Sequence, residues 1–428
     1  MTLRSRLRGA AINAYLGADA VRHSLADLKR RATGGARAVD FYFDLADPAS
    51  YLAAQAAQRL AAAYPIELRF TLVSPPAADV DPSPTLRPAH AIRDALELAG
   101  RYELEFPGKK PLEPGGLKRG YQVLIKDRPA ADQLAVALAV AKALWTNDAK
   151  QLTALMGQHG HEDSMSVPPY LATHYDRMRA AGFFTGGSFH YGGDWYLGVE
   201  RVSYLEARLA ADTGTTAPPV VARRAAPAAP LTFGPGPRVL EVWFSYRSPY
   251  SYLAIAQLAP IVDEFGLALR LRPVLPLVER GAQMPSVKRM YLARDAHREA
   301  VRLGIPFGRI ADPLGAAARN AIAITRVAAS HGRGLAFASS AMRGIWAEAR
   351  DLSDYVDLRA VVERADLDWS EARAALTDEQ WQTEATDAAA DLNAVGLWGV
   401  PSFRLGDYVT WGQDRLPHLL DRLRATPR

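Results

Sequence analysis

Two short motifs carry the residues of this chain that could do chemistry. The first is Ser248-Pro249-Tyr250-Ser251, directly after an apolar run, and the second is Gly399-Val400-Pro401-Ser402-Phe403, much later in the chain. With cysteines at positions 248 and 251, the first motif would have the spacing of a thiol–disulfide redox box. The chain contains no cysteine. Thiol chemistry at these serines would therefore need a sulfur from another molecule.

Composition places the chain among ordinary globular proteins. With 428 residues, of which 49% are hydrophobic and 23% charged, it can form two or three domains with complete cores. The formal charge of +5 is scattered and no aromatic-basic stripe stands out, which disfavours nucleic-acid binding. The nine histidines lack the spacing of metal ligands, so we expect no metal site. Neither a membrane span nor a secretory signal is evident, and we expect a cytoplasmic protein.

An internal repeat organises the chain. Placing Asp40 on Glu241 aligns residues 40–75 with 241–276 without a gap, and Ser50-Tyr51-Leu52-Ala53 then falls on Ser251-Tyr252-Leu253-Ala254. Further on, Ser188-Phe189 falls on Ser402-Phe403 once a short insertion is allowed. Between the copies, the sequence is rich in alanine, proline, threonine and glycine, which is a linker composition. We therefore predict a tandem duplication.

Each copy is predicted to run strand, helix, strand, a long helical block, a hairpin and a closing helix. In the second copy the predicted elements are Leu240 to Phe244, Ser251 to Phe265, Leu267 to Val274, Ala316 to Ser330, Ala336 to Ala349, Tyr355 to Ala365, Ser402 to Leu405, Tyr408 to Trp411 and Leu416 to Leu423. A strand–helix–strand unit of this length makes a parallel crossover, so the predicted fold class is α/β. The predicted boundaries are 1–37 for a basic helical segment, 38–211 for the first domain, 212–237 for the linker and 238–428 for the second domain.

The C-terminal half resembles the 2-hydroxychromene-2-carboxylate isomerases and the related kappa-class glutathione transferases. Four blocks carry the resemblance, in the order of the family: 244–253, 288–292 with 304–307, the helix that contains Trp346, and 399–403 with 411–415. The resemblance implies two tandem thioredoxin-like (DsbA-like) domains, each with a helical insertion. The N-terminal half keeps only the frame.

The resemblance also implies that glutathione supplies the missing sulfur. Ser248 precedes the first helix of its domain, where free N–H groups and a partial positive charge favour an anion. Its hydroxyl can donate to a bound thiolate, and a thiolate favoured in this way is a strong nucleophile at neutral pH. The alternative is that Ser248 is simply the helix N-cap before Pro249.

Other glutathione contacts follow from the same resemblance. Pro401 would be a cis-proline, and Val400 would offer its backbone N–H and C=O to the cysteinyl part like an added strand. Gln413 and Asp414 match the positions that hold the γ-glutamyl end, where the carboxylate of Asp414 can pair with the ammonium group. The alternatives are an ordinary turn into an edge strand at Pro401 and a helix-start preference at Asp414.

Two further positions resemble glutathione contacts of the family less closely. Gln283 precedes Met284-Pro285 much as an Asn-x-Pro contact does, in a loop of different length. Lys288 could hold a carboxylate of glutathione or substrate, or be a solvated helix residue. Arg247 and Ser245 depart from the apolar residue and the aspartate of the isomerases, and both lie beside the expected thiol.

The N-terminal copy lacks the chemical residues. Asp47 replaces Ser248, where a carboxylate would repel a thiolate, and Thr185-Gly186-Gly187 replaces Gly399-Val400-Pro401. Val199 replaces Gln413. We therefore expect a degenerate first domain, with a different second ligand site as the alternative. Since related proteins pair as homodimers, the duplication could build an intrachain pseudo-dimer.

Residues 1–36 combine apolar and basic side chains in helical spacing. The pattern predicts an amphipathic helix that docks on the protein itself or, alternatively, makes weak contact with an anionic membrane surface.

Three functions remain to be compared. The first is a glutathione-dependent isomerase, or alternatively a transferase, acting on an electrophilic, aromatic, unsaturated acid. The second is a non-catalytic binding or scaffold protein. The third, a thiol–disulfide oxidoreductase, is contradicted by the absence of cysteine.

Overall fold

The computed structural model describes residues 12–224 and 228–427. The chain divides into two compact units. The N-terminal unit contains residues 20–224 together with Pro285–Lys288, and the C-terminal unit contains residues 12–19, 228–284 and 289–427. The first eleven residues of the predicted basic segment lie outside the described residues, and no helix among those described has the length and apolarity needed to cross a bilayer.

The N-terminal unit contains a four-stranded sheet in the order β2-β1-β3-β4, formed by Ala38–Asp44 (β1), Glu67–Val73 (β2), Ser188–Tyr191 (β3) and Asp194–Leu197 (β4). Strands β1 and β2 run parallel, whereas β3 is antiparallel to both β1 and β4. The helices of this unit are Asp19–Thr33, Pro48–Ala63, Arg87–Arg101, Pro114–Leu124, Ala130–Trp145, Ala149–His159, Val167–Ala180 and Val202–Thr213.

The C-terminal unit repeats this arrangement. Its sheet has the order β6-β5-β7-β8, formed by Val239–Phe244 (β5), Ala268–Pro273 (β6), Ser402–Leu405 (β7) and Tyr408–Trp411 (β8). Strands β5 and β6 are parallel, and β7 is antiparallel to β5 and β8. The helices are Pro249–Phe265, Ser286–Leu303, Ala316–Ser330, Gly334–Ala347, Tyr355–Arg364, Trp369–Ala375, Gln380–Ala394 and Leu416–Ala425. The first three residues of Ser286–Leu303 are grouped with the N-terminal unit.

The predicted elements of the second half are confirmed to within a few residues. The hairpin strands and the helix Ala316–Ser330 have the predicted bounds, and the first helix begins two residues earlier, at Pro249. Proline fits the first turn of a helix because the N–H that it lacks has no partner there. The mixed α/β, thioredoxin-like fold is therefore the one that the sequence predicts.

Alternation along β5 separates two apolar cores in the C-terminal unit. Leu240, Val242 and Phe244 belong to a large core that also contains residues of the helix Pro249–Phe265. Trp243, on the opposite face, belongs to a smaller core with Ala388 and Leu392 of the helix Gln380–Ala394. Since successive side chains of a strand point to opposite faces, helices cover both faces of the sheet.

The predicted linker is anchored near both ends. Val221 is fully buried in the core of the N-terminal unit, and its backbone N–H donates to Glu206 at 3.1 Å. Leu231 is buried in the core of the C-terminal unit. Composition predicts a connection over residues 212–237, but it does not show that apolar residues within it pack.

Candidate functional site

The motifs at 248–251 and 399–403 meet at one end of the sheet of the C-terminal unit. Parallel strands β5 and β6 end at the same edge, and antiparallel β7 begins there, with Trp243 opposite Ser402. Ser248 lies in the turn after β5, directly before the helix Pro249–Phe265, and Pro401 directly precedes β7. The Val400–Pro401 peptide bond is cis, as the resemblance implied.

Ser248 is the N-cap of the helix Pro249–Phe265. Its Oγ accepts a hydrogen bond from the backbone N–H of Ser251 at 3.1 Å and donates to the carbonyl oxygen of Val400 at 3.4 Å. The capping alternative is therefore correct as a structural description, but it does not exclude a ligand. Because a 3.4 Å hydrogen bond is long, the hydroxyl proton can turn to a stronger acceptor at little cost.

Ser251, the second serine of the motif, has a structural role. It is fully buried, and its Oγ accepts the backbone N–H of Ser245 at 3.3 Å. Ser245 is itself buried, and its Oγ has no hydrogen-bond partner among the described residues. Of the two serines in the box, only Ser248 is therefore placed to meet a ligand.

Arg247, one of the departures from the family pattern, is held by an acid of its own unit. Its Nε and Nη2 donate to the two carboxylate oxygens of Asp312 at 2.7 and 3.1 Å. Such a forked pair fixes the guanidinium plane. The positive charge beside Ser248 is thus largely compensated by Asp312.

Gln413 and Asp414 lie next to the cis-proline. The backbone N–H of Gly412 donates to the carbonyl oxygen of Pro401 at 2.9 Å, and Gln413 and Asp414 begin the short 3-10 helix that follows. Gly412 has a φ of 112°, and a Cβ there would lie 2.5 Å from Oδ1 of Asp414. Glycine at this position therefore allows the carboxylate to fold back over the backbone.

Gln413 has a buried partner that the sequence did not reveal. Its Nε2 donates to Oε2 of Glu299 at 2.8 Å, and both side chains are buried. Glu299 also accepts from Arg302 at 2.8 Å. This fixes the carboxamide, because Nε2 must face Glu299.

The structure places Gln283 and Lys288 in different units. Gln283 lies in an exposed loop of the C-terminal unit. Lys288 belongs to the N-terminal unit, where its Nζ donates to the carbonyl oxygen of Val80 at 2.7 Å. Burial lowers the pKa of Lys288, and the charges of Asp81 and Asp79 oppose that shift. Lys288 is thus grouped with a different unit from Ser248.

Arg280 is a candidate that the sequence analysis missed. It closes a short 3-10 helix after β6, at the edge of the sheet that carries Ser248, and its Nη2 donates to the carbonyl oxygen of Trp398 at 3.4 Å. Its Nε is buried without a partner among the described residues. Burial lowers the pKa of Arg280, although an arginine remains protonated at neutral pH. A half-buried guanidinium whose described hydrogen bond goes to a carbonyl oxygen can still bind an anionic ligand.

The equivalent position of the N-terminal unit has the same frame and different chemistry. Asp47 caps the helix Pro48–Ala63, and the backbone N–H of Asp44 donates to Ser50 Oγ at 2.9 Å, as that of Ser245 does to Ser251. Burial raises the pKa of Asp47, although the charge of Arg87 opposes that rise. Burial and the nearby charge of Asp47 raise the pKa of Asp44 to about 7. Acidic groups therefore stand where the other unit has serines.

The loop before β3 also differs from its counterpart before β7. Gly186 approaches Asp44 so closely that a Cβ would lie 2.6 Å from the Cβ of Asp44. Gly187, at the position equivalent to Pro401, has a φ of 69°. This loop therefore depends on two glycines where the C-terminal unit has Val400 and a cis-proline.

Known proteins resemble the second half of the chain. Residues 239–424 match the family model of the DSBA-like thioredoxin domain. A 2-hydroxychromene-2-carboxylate isomerase of Sphingobium xenophagum is 25% identical over 192 residues, which is 42% of this chain and 96% of that protein. A protein of the same name from Pseudomonas putida is 28% identical over 191 residues, covering 42% of this chain and 90% of its own.

Solved structures with partial similarity include a 2-hydroxychromene-2-carboxylate isomerase, with 24% identity and a TM-score of 0.39 over 44% of this chain and 95% of that one. The cytosolic disulfide reductase DsbM from Pseudomonas aeruginosa, solved with GSH, has 21% identity and a TM-score of 0.32 over 44% and 96% of the two chains. Together with the observed strand order and the cis-proline, the family match identifies residues 239–424 as a DSBA-like thioredoxin domain.

Proposed function

We propose that the C-terminal unit is a glutathione-dependent isomerase of an electrophilic, aromatic, unsaturated acid. One observation carries the proposal: the Ser248 hydroxyl lies at a helix N-terminus, 3.4 Å from the carbonyl oxygen that precedes a cis-proline, in a chain without cysteine. The two relatives named 2-hydroxychromene-2-carboxylate isomerase support the reaction class.

The residues around Ser248 fit a bound glutathione. The backbone of Val400 offers strand-like hydrogen bonds to an extended peptide, and Asp414 offers a carboxylate to an ammonium group. Gln413 donates from Nε2 to Glu299, so its Oε1 remains as the acceptor. When bound, glutathione would supply a thiolate that adds to the conjugated system of the substrate and leaves after the bond has rotated.

The chain itself would contribute orientation and charge. Ser248 would turn its proton from Val400 to the sulfur and so favour the thiolate over the thiol. Arg280, a half-buried cation whose Nε has no partner among the described residues, would hold the carboxylate of the acid. Holding the two reactants in register removes much of the entropic barrier.

The serine is tested by comparing Ser248→Ala with Asp47→Ala, the matched change at the equivalent helix start. We expect Ser248→Ala to lower the isomerisation rate of 2-hydroxychromene-2-carboxylate by about 10²–10³-fold, the usual cost of removing one donor to a developing or bound anion. Asp47→Ala should leave the rate unchanged. An absorbance assay with reduced glutathione measures both.

The same assay separates the alternatives. An isomerase regenerates the thiol, whereas a kappa-class-like transferase consumes one glutathione per product. A non-catalytic binding protein would show no turnover with any unsaturated acid. Failure of calorimetry to detect binding of reduced glutathione to the full chain would contradict both enzymatic functions.

A further inference from the structure

A second cluster of charged residues lies at the opposite end of the second sheet. Glu241 is near the start of β5 and shares a face with Trp243. Trp243 is covered by the helix Gln380–Ala394, whereas the end of the face that carries Glu241 is lined by arginines. At about 3.3 Å per residue, Glu241 lies about 10 Å before the end of β5, the end that leads to Ser248.

Three guanidinium groups surround the carboxylate of Glu241, which is only 3% exposed. Arg270 and Arg404 lie directly opposite Glu241 on the two neighbouring strands. Arg270 contacts Oε1 at 3.1 Å, Arg272 contacts the same oxygen at 3.5 Å, and Arg404 pairs with Oε2. Arg272 is also paired with Asp391 at 2.9 Å. Three positive charges thus meet two negative ones.

Arg270 and Arg404 each have guanidinium N–H groups that Glu241 does not occupy. Each guanidinium carries five N–H groups, and each is described with one nitrogen on Glu241. Their side chains are 58% and 41% exposed. Arg404 also lies over the ring of Trp243, with 5.8 Å to the ring centroid. The buried carboxylate and the indole therefore orient the fork of Arg404 while leaving part of it accessible.

These arginines line a cavity of about 300 Å³. Glu241 lines it as well, and the rest of the wall comes from Phe233, Gly234, Pro235, Pro237, Val239 and Gly406. The wall is fixed to the hairpin because Thr232 N–H donates to Asp407 Oδ1 at 3.1 Å and Asp407 N–H donates to Thr232 O at 3.2 Å. A cavity with fixed walls and forked donors is a preformed site.

We propose that this cavity, distinct from the Ser248 site, binds a small oxyanion, either a phosphate or a carboxylate. Both groups match the planar fork of arginine, and the two guanidinium groups that line the cavity keep N–H groups that Glu241 does not occupy. Phe233 and the prolines provide an apolar wall for a ligand larger than the anionic group alone. The ligand class is thus an organic phosphate or carboxylate, with the anion bound by Arg270 and Arg404.

The test is a titration of the full chain with inorganic phosphate and, separately, with benzoate at low salt. Amide NMR shifts at Gly234 and Gly406 report on the cavity, and calorimetry gives the affinity. We expect saturable binding of at least one anion with a Kd of about 1 mM or tighter. The anion that binds more tightly identifies the ligand class.

Arg404→Gln should weaken this binding at least tenfold, because it removes one of the two forks that line the cavity. Glu241 keeps Arg270 and Arg272, so the fold should persist. Arg333→Gln, which removes an exposed arginine paired with Asp366, is the matched control and should bind like wild type. Arg404→Lys keeps the charge but not the fork and should still lose affinity severalfold.

Three results would overturn the proposal. They are the absence of saturable shifts with both anions, an equal loss in Arg333→Gln, and wild-type affinity in Arg404→Lys. Glutathione binding at Ser248 should not change in Arg404→Gln, which keeps this proposal separate from the proposed function.

Discussion

At the scale of single residues, the two units show how one backbone frame carries two chemistries. Ser248 and Asp47 both cap the first helix of their unit, and Ser251 and Ser50 both accept a backbone N–H from the end of the preceding strand. What differs is the charge at the cap. A neutral hydroxyl can donate to a thiolate, whereas a carboxylate would repel it.

Arg280 provides a residue-scale prediction. Arg280→Ala should raise the KM for the acid substrate by about 10–100-fold with a smaller effect on kcat, because a charge-assisted hydrogen bond to a carboxylate contributes about 1.5–3 kcal/mol. Arg280→Lys should restore part of the affinity, since it keeps the charge. Steady-state kinetics with Arg333→Ala as the exposed control measure this difference. An unchanged KM in Arg280→Ala would remove Arg280 from the site.

Local motifs made part of the site predictable. Ser248 and Pro401 were predicted because each belongs to a short contiguous motif, and the cis bond was confirmed. Arg280 and Glu299 were missed because their roles depend on partners far along the chain, namely Trp398 and Gln413. Lys288 was predicted from its place in a sequence block, and a single position could not show which unit it would join.

At the scale of elements, the end of β1 contains an acidic group that is expensive to ionise. Asp44 is fully buried, and its pKa is raised to about 7. Between the ordinary pKa of an aspartate and about pH 7, Asp44 is protonated in the folded state but ionised in the unfolded state. The free energy of unfolding therefore falls as pH rises through this window, by up to about 1.4 kcal/mol per pH unit.

Asp44→Asn should remove this contribution. The variant should gain stability relative to wild type as pH rises from about 4 to 7, and the difference should level off above 7. Urea unfolding of the full chain at several pH values measures it. A difference between variant and wild type that does not vary with pH would show that Asp44 is not protonated in the folded state.

The helix Asp19–Thr33 presents an apolar stripe on its surface. Val21, Leu25 and Leu28, at helical spacing, are 59%, 59% and 64% exposed, and basic residues lie on the same helix. Leu16, just before this helix, is instead buried in the core of the C-terminal unit. Leu16 therefore docks on the protein itself, which is one of the two predictions for the basic segment. The exposed apolar stripe is the part of the segment that could contact a membrane, which is the other prediction.

We expect the full chain to float with vesicles that contain anionic lipid and not with neutral ones, because apolar burial and charge act together. A Leu25→Ser/Leu28→Ser double variant should lose this binding. Val356→Ser, which changes an equally exposed apolar residue elsewhere, is the control. Equal flotation of the double variant and the control would contradict membrane contact through this helix.

Helices and strands were predictable where apolar residues recur at a regular helical or strand spacing. Strands β7 and β8 have the predicted bounds because Gly406-Asp407 separates two short β-prone runs. The packing of Val221 and Leu231 was not predictable from composition, since proline and alanine around them indicate a connection without showing its contacts.

At the scale of the whole molecule, the two sheets have the same strand order and directions. Together with the gapless alignment of 40–75 with 241–276, this supports the proposed tandem duplication. The family model matches only the second copy. Among the many positions that differ, Asp47, Gly186 and Gly187 are those at which the C-terminal unit has Ser248, Val400 and Pro401.

The most direct test is a crystal structure of the full chain with reduced glutathione. We predict one glutathione per chain, with its sulfur within hydrogen-bond distance of Ser248 Oγ and its γ-glutamyl end at Gln413 and Asp414. A sulfur beside Asp47, or a glutathione bound away from Val400 and Pro401, would contradict the account.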